Sequence, residues 1–199
     1  MTLHKSLACS LVALAALPAL AATTVYEAEL DGPSEVLGAG VLPSPGLGSA
    51  LVTVDTDSMT MHVVASFSGL LAGVTASHIH CCTAVLNVGT AGVATVTPTF
   101  TGFPSGVTSG SYDHVFDMNL ASSYNPAFIT ARGGTVAGAF AALAAGLDAG
   151  TSYFNIHSSL YPGGEIRGFL APIPEPATYA LMLAGLAAVG FAARRRGAI

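Results

Sequence analysis

Apart from one alanine-rich stretch, the chain between its two apolar ends is cut by Gly, Pro, Ser and Thr into short β-patterned runs. Short strands between turn residues point to a sandwich or barrel. Residues 24–30, 50–54, 59–67, 74–80, 93–97 and 111–118 are the strand candidates, and 153–157 with 165–170 form a last hairpin around Tyr161-Pro162-Gly163-Gly164. Asp55-Thr56-Asp57-Ser58 joins the clearest pair with turn chemistry, because Asp and Ser side chains bond to nearby backbone N–H groups. It lacks the further acid, glycine and distal glutamate of a calcium-binding EF-hand. Asn125-Pro126 can start a helical turn through Thr130. Residues 135–147 place Val136, Phe140, Leu143 and Leu147 at helical spacing, with Gly150 as the stop. Residues 38–48 and 98–110 read as loops. The expected class is mostly β: an antiparallel sandwich, Greek-key/immunoglobulin-like or superoxide-dismutase-like, with one short alanine-rich helix.

Both ends read as addresses. His4 and Lys5 precede an apolar run over 7–20, and Ala19-Leu20-Ala21 has the small-x-small pattern that signal peptidase accepts. Residues 1–21 are the expected signal peptide; a run this short falls below the length of a spanning helix. At the other end a second apolar run, 177–193, lies between Pro174-Glu175-Pro176 and Arg194-Arg195-Arg196. Its 17 residues rise about 25 Å as a helix, just enough for a thin bilayer, and the arginines belong on the cytoplasmic side. The expected division is 1–21, a β domain at 22–172, and a transmembrane sorting tail at 173–199.

Residues 22–173 carry two arginines and no lysine against ten carboxylates, a formal charge of −8. That excludes nucleic acid as a partner, which needs cations to neutralise phosphates, and disfavours anionic lipid surfaces. No Gly-x-Ser-x-Gly elbow, P-loop or His-Glu-x-x-His motif is present, which favours a non-enzymatic module.

His78 and His80, two apart on a strand, point to one face, about 6.5 to 7 Å apart. A third imidazole from a neighbouring strand, His157, can complete a zinc or copper cluster with redox or hydrolytic potential; a structural role inside the sandwich is the competing reading. The His-x-His element is similar to that of copper/zinc superoxide dismutase, but the match ends at three residues. Cys81 and Cys82 are adjacent. With a trans peptide their Cα atoms lie about 3.8 Å apart, short for a disulfide, so free thiols, an external bridge or soft metal ligation stay open. Strand parity puts Cys82 on the histidine face. Glu165 and Arg167 share a strand face and suit an ion pair.

Ala76-Ser77-His78-Ile79-His80, Tyr153-Phe154-Asn155-Ile156-His157 and Pro162-Gly163-Gly164-Glu165-Ile166-Arg167-Gly168 together resemble the CHRD domain, over roughly residues 24–170. The resemblance implies a β fold and export, with no enzymatic activity attached. The paired cysteines after His80 recur in its bacterial members. Pro174-Glu175-Pro176, the apolar run and Arg194 to Arg196 resemble the PEP-CTERM sorting tail of Gram-negative bacteria. That resemblance implies transient inner-membrane anchoring, recognition by an exosortase-type enzyme after signal peptidase has acted, and a destination at the cell surface or in an extracellular matrix, often beside exopolysaccharide.

Overall fold

The computed structural model describes residues 23–174 and 176–196; the expected signal peptide therefore lies outside the described residues. The element order is β1 (Thr23–Asp31), β2 (Leu47–Asp55), β3 (Thr60–Ser68), β4 (Val74–His80), β5 (Gly110–Asp117), a 3-10 turn (Ala121–Ser123), α1 (Pro126–Ala131), α2 (Val136–Asp148), β6 (Tyr153–Ser158), β7 (Ile166–Phe169), β8 (Ala171–Pro172) and α3 (Pro176–Arg196). The strands form one curled antiparallel sheet in the order β4-β6-β7-β1-β2-β3-β5, with β8 beside β1. A single register pair, Asp31 with Arg167, joins β7 to β1, so the sheet folds as two arrays facing one core. One array contributes Ile79, Phe154, Ile156 and Ile166; the other contributes Tyr26, Leu30, Val52, Val63, Met61 and Phe116. The mostly β, antiparallel class expected from the sequence is the one found.

Local chemistry explains the boundaries. Asp55 Oδ1 accepts from the N–H groups of Asp57 (3.0 Å) and Ser58 (2.8 Å), closing the β2–β3 hairpin. The Asn125 side chain caps α1 by accepting from Ala127 N, and Thr135 caps α2 by accepting from Gly138 N. Helix α2 buries Ala139, Phe140, Leu143 and Leu147 and stops at Gly150, where φ is 61°. The expected strand at 93–97 is replaced by isolated bridges, His80 with Val93 and Thr95 with Tyr124. Its backbone is divided between two neighbours: Ala94 N donates to Ile79 O, while Asn125 donates to Val93 O and Ala94 O. Thr95 Oγ1, not a backbone carbonyl, accepts from Ile79 N.

Helix α3 forms where the C-terminal apolar run predicts it. Among the described residues, no helix is long and apolar enough to cross a membrane.

Candidate functional site

On β4 and β6, side chains alternate between the core and a second, polar face. Ile79, Phe154 and Ile156 enter the core; His78, His80, Tyr153, Asn155 and His157 take the opposite side. The antiparallel register sets Ala76 against His157, His78 against Asn155 and His80 against Tyr153. It therefore carries all three histidines to one place. Ring centroids are 5.3 Å apart for His78 and His157, and 5.9 Å for each of the other two pairs. One ring nitrogen from each histidine lies within 4.8 Å of the others.

Hydrogen bonding decides which ring nitrogens are free to ligate. His78 Nε2 lies 2.6 Å from Pro98 O, His80 Nδ1 2.8 Å from Ala91 O, and His157 Nδ1 3.0 Å from Pro162 O. A carbonyl can only accept, so each of these nitrogens carries the proton. In neutral rings the remaining nitrogens, His78 Nδ1, His80 Nε2 and His157 Nε2, then present lone pairs. All three are buried and have no hydrogen-bond partner. Burial is the main reason the imidazoles resist protonation: His78 and His80 are both held down to about 4, against the pull of their carbonyl partners, and His157 is shifted in the same direction. Three neutral imidazoles, each oriented by a backbone carbonyl, form the donor set and outer shell that zinc and copper take.

The polar face continues beyond the histidines. Tyr153 stacks on His80, with centroids 4.7 Å apart and planes 8° from parallel. Its hydroxyl accepts from Ala91 N (3.2 Å), fixing the residue whose carbonyl holds His80. The Arg167 guanidinium lies 4.8 Å from the Tyr153 ring centre and donates to Gly89 O and Ser34 O. The expected Glu165–Arg167 ion pair is not formed. Arg167 faces Glu35 at 3.9 Å. Glu165 lies just before β7, fully buried, and its Oε1 accepts from Ser44 Oγ (2.7 Å) and Leu71 N (2.5 Å). Burial raises the Glu35 carboxyl to about 7 despite the nearby Arg167 charge. Sequence reasoning missed Glu35; the only signal was an arginine too deeply placed to lack a counter-ion.

The cysteines take a place apart. Cys81 and Cys82 form a disulfide across a cis peptide, with Cα atoms 3.0 Å apart. The 3.8 Å spacing expected for a trans peptide therefore does not apply. Both sulfurs face α2, near Ala142 O at 3.8 and 3.7 Å. Cys82 does not join the histidine face, because β4 ends at His80 and strand alternation ends with it. Of the other histidines, His62 pairs with Asp113 (2.7 Å) at the surface and His114 packs between Tyr112 and Phe116. In the sorting segment Pro174 is exposed, Pro176 opens α3, Arg194 to Arg196 fall in its last turn, and Glu175 lies outside the described residues.

No curated protein and no solved structure matches the chain. The PEP-CTERM protein-sorting motif matches residues 172–196, which implies export, recognition by an exosortase-type enzyme and sorting to the cell surface. The CHRD domain matches residues 26–170, the curled sheet from Tyr26 through β7 with its polar face, and the chain belongs to the CHRD-domain family.

Proposed function

We propose that this exported protein is a non-catalytic module of the cell surface or extracellular polysaccharide matrix, and that its CHRD domain holds a zinc or copper ion on His78, His80 and His157. One observation carries the metal reading: three histidines each offer one ring nitrogen within 4.8 Å of the others, and on each ring one nitrogen is tied to a carbonyl while the second is buried with no hydrogen-bond partner in the protein. The division into a signal peptide at 1–21, a β domain at 22–172 and a sorting tail at 173–199 belongs to the same proposal, as do signal peptidase and exopolysaccharide as partners.

Elemental analysis of protein purified without a polyhistidine tag tests the site. The expected result is one zinc or copper per chain, with affinity falling about 100-fold or more in His80→Ala and metal released by acid, since imidazole must be neutral to ligate. Protein that is isolated metal-free and takes up neither ion at neutral pH overturns the reading. Sedimentation with the producer's own exopolysaccharide tests the matrix role; secretion without any association to matrix or envelope overturns it.

A further inference from the structure

The last residues before the sorting motif are woven into the sheet. In β8, Ala171 pairs with Glu27 and Pro172 with Tyr26, and Ile173 N donates to Val25 O at 2.8 Å. The next described element, α3, begins at Pro176. From Ile173 to Pro176 there are three peptide steps, a reach of at most about 11 Å. The antiparallel pairing also returns the outgoing chain to the start of β1, beside Val25. Thr23, which follows the expected signal-peptidase site, and Ile173, which precedes Pro174-Glu175-Pro176, thus lie at the same end of one strand.

An enzyme that cuts a peptide commonly binds it as an extended strand, using the backbone groups on either side of the bond. On the amino-terminal side of the motif, those groups are engaged by β1. The engagement is shallow. Ala171, Pro172 and Ile173 are all exposed, whereas Leu170 is fully buried and its N–H donates to Ser152 O at 3.0 Å. Peeling the chain back to Leu170 therefore breaks a few edge hydrogen bonds and withdraws no buried side chain from the core. It lengthens the tether to six peptide steps, about 20 Å.

We infer that β8 is a releasable latch, and that the membrane-bound sorting enzyme acts on the chain only when residues 171–173 have left β1. The step rests on the sorting reading above. One peptide bond near Pro174 breaks, its acyl carbon passes to water or an amine acceptor, and the tail leaves with a new amino terminus. The β1 edge then takes back the shortened end.

The test uses the full chain in cells that carry the sorting enzyme. Glu27→Cys with Ala171→Cys places a disulfide across a register pair of exposed positions. Pulse-chase immunoblotting should show tail removal slowed about tenfold or more, since local opening is blocked. Each single-cysteine variant should run at the wild-type rate. Four Gly/Ser residues inserted between Ile173 and Pro174 should restore processing in the locked protein. Locked chain processed as fast as wild type overturns the latch. Loss of processing in the single variants as well overturns it too, since substitution rather than locking is then the cause. A wild-type chain whose tail is never removed overturns the sorting reading instead.

Discussion

Three backbone carbonyls, at Ala91, Pro98 and Pro162, fix what the histidines can do, because each dictates a tautomer and aims a lone pair inward. Pro162 begins the turn whose glycines the site also requires. At Gly164 φ is 134°, a region that side chains rarely enter. A Cβ there would sit 2.5 Å from Glu35 Oε1 and 2.6 Å from Asn155 Nδ2. Gly164→Ala is therefore expected to lower unfolding stability by about 2–4 kcal/mol, strain and overpacking together. Urea denaturation measures this, and an unchanged midpoint would remove the tight packing of Glu35 and Asn155 under the turn.

At the level of elements, β4 and β6 supply the site and α2 supports its far end. The disulfide that follows β4 lies against α2 where Gly146 leaves room: a Cβ would approach Cys81 Sγ to 2.5 Å, Cys82 Sγ to 2.6 Å and Ser152 Oγ to 2.9 Å. Gly146→Ala gains helix propensity of about 1 kcal/mol, but the clash costs about 1–3 kcal/mol. The expected outcome is a less stable protein in which the cysteine pair becomes accessible. Thiol labelling of the reduced and oxidised forms, alongside thermal unfolding, reads both effects. A stabilised variant would mean that α2 does not pack on the cysteines.

Across the whole molecule, the buried titratable groups work in opposite directions. His78 and His80 fall from 6.5 in the open chain to about 4 in the fold, so the metal-free unfolded state binds more protons between those limits. Their contribution to stability is complete above pH 6.5 and is lost as pH falls toward 4. His157 shifts the same way. Glu35 rises from 4.5 to about 7, so its contribution is present below 4.5 and is lost as pH rises through 7. Three histidines outweigh one carboxyl, and metal-free protein should lose stability on acidification from pH 6.5 to 4. Glu35→Gln should steepen that loss, because the opposing group is gone. Urea midpoints across this range decide it; a flat profile in both proteins would mean that the histidines are not desolvated.

Much of the fold was legible because strand periodicity and turn chemistry are local. Residues 74–80 coincide with β4, the Asp55–Ser58 turn lies where its side chains place it, and the alanine-rich run becomes α2. The His78 and His80 pair was legible for the same reason, since alternation along one strand fixes a shared face. What the sequence could not decide was every relation set by register between distant segments. His157 faces His78 because β6 pairs with β4 in one particular alignment. Arg167 meets Glu35, not Glu165, because a loop after β1 folds over β7. The disulfide turns from the histidines to α2 because the strand ends first. By itself the sequence determined the β class, the C-terminal sorting motif and the shared face of His78 and His80. Only the tertiary structure, through long-range pairing and burial, decided which site residues meet and which ring nitrogens are left without a partner.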